Sequence, residues 1–174
     1  MEKALLLYSS TDGQTIKIIN HMKATLSTTF ECEVIDLHTA TNLDFSLYSR
    51  VIVGGSIRYG HLNKKLYQFI EQYQQILTEK EAGFFCVNLT ARKKGKNKPE
   101  TNAYMQKFLQ KSPWTPKYQS VIAGALFYPR YSWFDRFMIR LIMKITGGET
   151  DTTKEVEYTD WNEVTRFADM IKNS

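Results

Sequence analysis

Apolar runs alternate with segments of helical periodicity along the whole chain of 174 residues. The apolar runs predict five strands, at about 3–8, 32–37, 50–54, 83–88 and 119–126. The periodic segments predict helices at about 13–28, 62–77, 100–111 and 160–172, the last of which begins with Asp160 and Glu163 spaced as in a capping box. Strands that are apolar on both faces and alternate with helices are typical of a parallel sheet covered on both sides.

This pattern predicts an α/β fold with a doubly wound, five-stranded parallel sheet in the strand order 2-1-3-4-5. In such a sheet, ligands bind beyond the carboxyl ends of strands one, three and four. Those ends are Ser10–Thr15, Gly55–His61 and Asn88–Arg92. No linker or internal repeat divides the chain, so we expect a single domain over residues 1–174.

The first strand end is rich in hydroxyl groups and consists of Ser10, Thr11, Asp12, Gly13, Gln14 and Thr15. Because it precedes a helix whose first N–H groups are unpaired, it predicts a site for a phosphomonoester. An ordinary capped helix is the alternative. The chain has no P-loop lysine and no G-x-G-x-x-G motif, which disfavours nucleotide hydrolysis and dinucleotide binding. The spacing resembles the flavodoxin phosphate loop, S/T-x-T-G-x-T, with Asp12 where that family often has Thr.

The flavodoxin resemblance implies that the other two strand ends hold the isoalloxazine ring of a flavin. The implied cofactor-binding residues are Ser56, Ile57, Arg58, Tyr59 and Gly60 after strand three, and Asn88, Leu89 and Thr90 after strand four. Tyr59 is the candidate for stacking on the ring, with a surface aromatic that closes the loop as the alternative. We do not assign a catalytic role to His61, because a histidine at a helix entry is more often structural.

Charge and cysteine content narrow the functional classes. The formal net charge is +5, whereas small flavodoxins that carry electrons are typically acidic. Residues 91–111 hold seven basic residues and one acidic residue, a stretch that either attracts anionic partners or is a solvated loop. Cys32 and Cys86 lack the spacing of a disulfide, a metal site or a thiol redox motif. A short apolar strand follows Glu2 and Lys3 where a secretory signal would need a longer apolar stretch, so we expect an intracellular protein.

The segment at about 127–155 is predicted to be an insertion that interrupts the last strand of the flavodoxin pattern. It contains a basic amphipathic helix, which ends at a pair of glycines. The helix is too short and too charged to span a bilayer, so we predict that it lies on an anionic membrane surface. The residues assigned to that contact are Trp133, Arg136, Phe137, Arg140, Leu141 and Lys144. A core helix or a dimer helix of the same composition is the alternative.

Seven short runs, spread over nearly the whole chain, resemble the bacterial flavodoxin-like, quinone-dependent protoporphyrinogen IX dehydrogenases. The runs are SIRYGH at 56–61, VNLTARK at 87–93, VIAGAL at 121–126, YPRY at 128–131, DRFMI at 135–139, GGETDT at 147–152 and YTDW at 158–161. The resemblance implies a flavodoxin-like fold with FMN as cofactor. It also implies oxidation of protoporphyrinogen IX to protoporphyrin IX in heme biosynthesis, with menaquinone or ubiquinone as electron acceptor at the cytoplasmic face of the cell membrane.

The same resemblance suggests further site residues. Arg58, Arg92 and Arg130 are candidates for binding the substrate propionates, and Gly147 and Gly148 are added to the cofactor-binding residues. We assign no catalytic side chain and no metal, because a flavin accepts hydride at its own N5 atom. Nucleic acid is not among the expected partners, and a homo-oligomer stays open.

Three other functions remain open from the sequence. A flavodoxin-like electron carrier would not turn over a porphyrinogen, and the basic charge and the insertion argue against it. An NAD(P)H–quinone reductase on the same fold would be reduced rapidly by NADPH alone. A membrane-surface adaptor would purify without the yellow colour of a flavin.

Overall fold

The computed structural model describes residues 1–174, with a five-stranded parallel sheet in the order β2-β1-β3-β4-β5 and helices on both faces. The predicted fold class is therefore confirmed. The elements of the sheet and its crossovers are β1 (Glu2–Ser9), α1 (Gln14–Leu26), β2 (Phe30–Asp36), β3 (Tyr48–Ser56), α2 (Lys64–Glu79), β4 (Glu81–Asn88), α3 (Ala103–Lys111) and β5 (Tyr118–Ala123). The chain ends with β6 (Ala125–Phe127), α4 (Trp133–Thr146), β7 (Glu155–Glu157) and α5 (Trp161–Lys172).

The hydrophobic core lies on both faces of the sheet. Successive side chains of a strand point to opposite faces, and Leu5 and Leu7 of β1 belong to the cluster that includes α2 and α3, whereas Leu6 belongs to the cluster with α1 and α5. All three leucines are completely buried. Burial on both faces explains why the strands are continuous apolar runs in the sequence.

The predicted strand at 119–126 is wrong in its second half, because the chain leaves the sheet at Gly124. The N–H of Gly124 donates to the Asn88 carbonyl (3.3 Å), and the Gly124 carbonyl accepts the N–H of Tyr158 (3.0 Å). Beyond this point β6 pairs with β7 as a separate antiparallel ribbon. Strand β7 was not predicted, since three residues with two exposed glutamates carry no apolar pattern.

Between β6 and β7, residues 128–154 form a unit that packs at the carboxyl end of the sheet. Its small core consists of Leu126, Tyr128, Tyr131, Ile139 and Met143. Helix α4 begins after Ser132, whose Oγ accepts the Asp135 N–H (3.2 Å), and it ends at Gly147 in a left-handed conformation (φ +74°). Only Ile139 and Met143 of this helix are fully buried, so most of α4 faces outward.

Local capping sets the helix starts and corrects several predicted boundaries. Helices α1, α2 and α3 begin later than predicted, because Gly13, Asn63 and Asn102 are N-cap residues outside the helices. Asp160 caps α5 as predicted, accepting the N–H groups of Asn162 and Glu163. The Glu163 carboxylate does not complete the capping box, since it accepts the Ser120 hydroxyl (2.7 Å).

Candidate functional site

A cleft of about 840 Å³, open to solvent on one side, lies beyond the carboxyl ends of β1, β3 and β4. The three predicted strand ends therefore meet at one site. Of the residues predicted to bind a cofactor, those that line the cleft are Ser10, Thr11, Asp12, Gln14, Thr15, Ser56, Ile57, Arg58, Tyr59, Gly60, Asn88, Leu89 and Thr90. Gly13, Gly147 and Gly148 do not line it.

The start of helix α1 presents unsatisfied hydrogen-bond donors to one end of the cleft. Its N-cap, Gly13, is left-handed (φ +87°) and offers no side-chain cap. The N–H groups of Gln14, Thr15 and Ile16 have no acceptor in the protein. The Thr15 hydroxyl is buried, with the residue only 1% exposed, and has no partner either. Such a set fits a phosphate, because the helix dipole and the free donors both favour an anion.

Two side chains of the loop are committed elsewhere. The Gln14 amide donates to Thr159 Oγ1 (2.9 Å) and Glu157 Oε2 (3.2 Å), so only its backbone N–H is available to an anion. Ser10 Oγ accepts the N–H of Gly13 (3.1 Å), which holds the turn in shape. The left-handed glycine thus sets the geometry of the loop from outside the cleft.

Arg58 links the phosphate loop to helix α4. Its Nη1 lies 2.8 and 2.6 Å from the two carboxylate oxygens of Asp12, and its Nη2 lies 2.9 Å from Oδ2 of Asp135. Asp135 also accepts the hydroxyl of Tyr59, and this hydrogen bond together with Arg58 holds the pKa of Asp135 below its usual range. The cluster of one arginine and two carboxylates carries a net negative charge.

Tyr59 has the exposure expected of a stacking residue. It is 40% exposed at the mouth of the cleft and adopts a left-handed backbone (φ +50°), which is uncommon for a residue other than glycine. The Arg58 guanidinium lies 5.4 Å from the centre of the Tyr59 ring and 5.2 Å from that of Tyr131. Two cation–π contacts therefore add to the two ion pairs in holding the arginine in place.

The side chain of Asn88, which was expected to bind the cofactor, is engaged in hydrogen bonds within the protein. Asn88 is 3% exposed and exchanges two hydrogen bonds with Asn102 (3.2 and 3.1 Å). Its Oδ1 also accepts the Thr90 hydroxyl (2.8 Å) and the Ala91 N–H (3.0 Å). Asn88 thus supports the β4 loop from beneath, while Leu89 and Thr90 line the cleft. The sequence did not predict a role for Asn102 at the site, because an Asn at this position is already explained as the N-cap of α3.

One wall of the cleft is apolar and comes from segments that the sequence did not assign to the site. Its residues are Tyr104, Tyr131, Ile139, Ile142 and Met143. Tyr104 opens helix α3, and the other four belong to the segment between β6 and β7. Helical spacing of Ile139, Ile142 and Met143 was the only signal, and this spacing is equally expected of a core face.

Two of the three arginines predicted to bind propionates lie outside the cleft, and so do the two predicted glycines. Arg92 donates to the carbonyls of Leu89 (2.7 Å) and Thr146 (3.1 Å), which ties the β4 loop to the end of α4. Arg130 pairs with Glu155 (2.9 Å) across the small ribbon. Gly147 caps α4, and a Cβ atom at Gly148 would clash with Met143. None of these four residues lines the cleft, and each one makes contacts within or to the segment between β6 and β7.

The outer face of α4 exposes large apolar side chains. These are Trp133, Phe134, Phe137, Leu141 and Ile145, with Trp133 79% and Ile145 77% exposed. Ile142, which is 41% exposed, lies at the edge of the cleft. Arg140 and Lys144 are also exposed, and neither makes an ion pair or a hydrogen bond. None of the helices in the chain has the length and hydropathy needed to cross a membrane.

The prediction that Arg136, Arg140 and Lys144 form a cationic stripe on α4, opposite its apolar side chains, needs two corrections. Arg136 turns inward, donating to the carbonyls of Tyr128 (3.2 Å) and Tyr131 (3.3 Å), so its donors are engaged within the segment between β6 and β7. The remaining cations flank the apolar face and do not oppose it, since Lys144 follows Trp133 at about 20° around the helix axis. Leu141 and Phe137 lie on the same side.

Comparison with known proteins agrees with this architecture. A family model described as a flavodoxin domain matches residues 5–153. The chain is 47% identical over 170 residues to the protoporphyrinogen IX dehydrogenase (quinone) of Escherichia coli strain K12, covering 97% of this chain and 94% of that protein. It is 47% identical to a Leishmania major protein of the same name, covering 95% of this chain and 73% of the relative.

Solved flavodoxins share the fold at low sequence identity. Oxidised flavodoxin 2 from Bacillus cereus aligns with a TM-score of 0.58 at 16% identity, covering 98% of each chain. Two-electron reduced flavodoxin from Megasphaera elsdenii aligns with a TM-score of 0.57 at 11% identity, covering 98% of this chain and 99% of its own. The flavodoxin domain points to a flavin cofactor. With the family model and the 47% identity over most of its length, the chain belongs to the family of oxidoreductases named protoporphyrinogen IX dehydrogenase (quinone).

Proposed function

We propose that the chain oxidises protoporphyrinogen IX to protoporphyrin IX in heme biosynthesis, with FMN as cofactor and a menaquinone or ubiquinone as electron acceptor. The observation that carries the proposal is a single cleft that joins unsatisfied phosphate donors to an apolar wall. The names of the relatives give the substrate and the acceptor. When bound, the flavin supplies the two-electron chemistry.

FMN fits the phosphate end better than a dinucleotide. The buried Thr15 hydroxyl and the three free N–H groups of α1 converge on one small anion, a phosphomonoester. Asp12 would repel that anion, but Arg58 binds both oxygens of the Asp12 carboxylate and so weakens the repulsion. Tyr59, at the mouth, is then placed to cover one face of a flat ring.

The apolar wall suits the other reactant. A porphyrinogen is a large apolar macrocycle, and its overall oxidation releases six electrons and six protons, which three quinones take up as three quinols. Tyr104, Tyr131, Ile139, Ile142 and Met143 provide the surface on which such a macrocycle can rest out of water. No side chain of the wall is a strong base, so protons lost from the substrate pass to solvent.

The outer face of α4 fits an anionic lipid surface on the cytoplasmic side of the cell membrane, where a quinone is dissolved. Five large apolar side chains and two unpaired cations share this face. Arg92 ties the end of α4 to the loop at 93–98, whose four lysines make no ion pair. A second copy of the chain would cover the apolar side chains, but the interface would then bring the same cations of both copies together. A lipid surface answers both features.

An anaerobic absorbance experiment tests the function. Protoporphyrinogen IX should bleach the flavin band of the purified protein, and a quinone should restore it. Bleaching by NADPH alone would favour an NAD(P)H–quinone reductase. A flavin that no porphyrinogen reduces would favour an electron carrier, and a protein purified without flavin would favour an adaptor at the membrane surface.

A further inference from the structure

We propose that the substrate carboxylates bind to a groove formed by Lys107, Lys111 and His61, which adjoins the flavin cleft. The proposal rests on the proposed function, because it names the part of the same site that recognises the propionates. It replaces the three arginines that the sequence suggested for this role.

The three arginines are each engaged in other contacts, and of the three only Arg58 lines the cleft. Arg58 is bound to the carboxylates of Asp12 and Asp135. The three side chains together have a net negative charge, which repels a substrate carboxylate. Arg92 spends its donors on carbonyl groups behind the β4 loop. Arg130 is paired with Glu155 on the small ribbon and does not line the cleft. A propionate would have to break existing contacts at each of them.

The groove is built next to the cleft and shares a wall with it. Its lining includes Ile57, Gly60 and Tyr104, which also line the cleft. No acidic residue lines the groove. A ligand that rests on Tyr104 in the cleft therefore has the groove directly beside its edge.

The two lysines keep their charge uncancelled. Lys107 Nζ lies 3.3 Å from Nδ1 of His61 and 3.5 Å from the Gly60 carbonyl, and neither of these groups is a carboxylate. Lys111 Nζ lies 4.2 Å from the centre of the Tyr67 ring. Neither lysine makes an ion pair. The contacts hold the ammonium groups in place while leaving donors for a carboxylate.

Helical spacing matches the groove to a dicarboxylate. Tyr104, Lys107 and Lys111 follow one another at intervals of three and four residues on α3, so they lie on one face. The two propionates of protoporphyrinogen IX are on neighbouring pyrrole rings at one edge of the macrocycle. With the ring system against Tyr104, that edge meets both lysines, and the opposite, apolar edge points to Ile139, Ile142 and Met143.

Binding of a diacid and of its diester separates this charge recognition from general stability. The flavin-loaded protein is titrated with protoporphyrin IX and with protoporphyrin IX dimethyl ester, following porphyrin fluorescence. We expect the parent to prefer the diacid, and Lys107→Gln/Lys111→Gln to weaken diacid binding by about tenfold or more while ester binding stays the same. Lys107→Arg/Lys111→Arg should restore the preference, and Lys23→Gln, a change to an exposed lysine of α1 outside the groove, should leave it intact.

Turnover distinguishes the two proposals. In the Gln variant, KM for protoporphyrinogen IX should rise while kcat and flavin content stay near those of the parent. If the parent oxidises the porphyrinogen and the Gln variant keeps its diacid preference and KM, the groove proposal is wrong and the function stands. If the preference depends on the lysines but the parent does not turn over, the function is wrong and the groove stands. A parent that binds neither porphyrin overturns both.

Discussion

The β1–α1 loop and helix α4 border the same cleft, yet they leave opposite kinds of group unsatisfied. The loop buries a hydroxyl and presents N–H groups without acceptors, whereas α4 exposes apolar side chains to water. A polar group without a partner and an apolar group in water are both unfavourable, and different ligands relieve them. A bound phosphate would supply hydrogen-bond acceptors to the loop, and a lipid surface would cover the apolar side chains of the helix. The contrast separates cofactor binding from membrane binding, so each can be broken without the other.

The largest expected effect comes from the apolar face of α4. Replacing Trp133 and Phe137 by Ser removes two side chains that are 79% and 59% exposed. At about 1.5–3 kcal/mol for each side chain transferred from water, binding to anionic vesicles should weaken roughly a hundredfold or more. Vesicle co-sedimentation measures this loss, while flavin content should not change.

Leu47→Ser is the matched control for that experiment. Leu47 is 57% exposed but lies in a short turn before β3, far along the chain from α4. It should leave vesicle binding unchanged. If the Trp133 and Phe137 variant binds vesicles like the parent and instead loses self-association in sedimentation, the face belongs to a dimer.

The cations beside this face should contribute less. Arg140→Glu/Lys144→Glu removes about 1 kcal/mol of attraction per cation at an anionic surface, so vesicle binding should fall about thirtyfold. Arg136 is left intact because its hydrogen bonds to two carbonyls are structural. The difference from the parent should vanish with zwitterionic lipid and shrink at high salt. A difference that persists in both conditions would assign the loss to misfolding.

A change in the β1–α1 loop should have the reverse effect, because it should weaken FMN binding and leave vesicle binding unchanged. Thr15→Val removes a donor to the phosphate, and FMN affinity should fall about thirtyfold, or about 2 kcal/mol, within the range for a charge-assisted hydrogen bond. The flavin-free protein should be no less stable than the parent, because the lost hydroxyl has no partner there. Flavin titration and thermal unfolding measure the two quantities. A variant that loses stability and keeps FMN would make Thr15 a structural residue.

The sequence predicted the regions of this comparison unequally, and the reason is physical. The phosphate loop follows from local order along the chain: an apolar strand, hydroxyl residues, a glycine, then a helix. Contacts far apart in sequence decide the rest. Arg136 faces inward because of carbonyls at Tyr128 and Tyr131, and Asn88 faces Asn102 across 14 positions. Periodicity carries no information about such partners, so the sheet order was predictable and the roles of the arginines were not.

Arg58 pairs with Asp12 of the β1–α1 loop and with Asp135 of α4, and its replacement should have a smaller effect on cofactor binding. Arg58→Leu leaves Asp12 unpaired beside the phosphate donors, so FMN should dissociate several-fold more readily, by about 1 kcal/mol or more. Asp12→Thr in the same chain removes the unpaired charge, adds a hydroxyl and should restore affinity. Flavin titration of the single and double variants measures this. If Asp12→Thr gives no recovery, Arg58 acts on FMN by another route.

The smallest effect should be the pH dependence of the stability that the Asp135 charge contributes. Tyr59 and Arg58 hold the pKa of Asp135 below its usual value, so its charge stabilises the folded chain above the ordinary aspartate pKa of about 3.9. That contribution is lost as pH falls through the lowered pKa in the folded protein. Thermal unfolding of the flavin-free parent and of Asp135→Asn should therefore differ at pH near 6 and converge in acid. A gap between the two melting temperatures that stays constant or widens in acid would show that the Asp135 charge does not hold α4 to the loop.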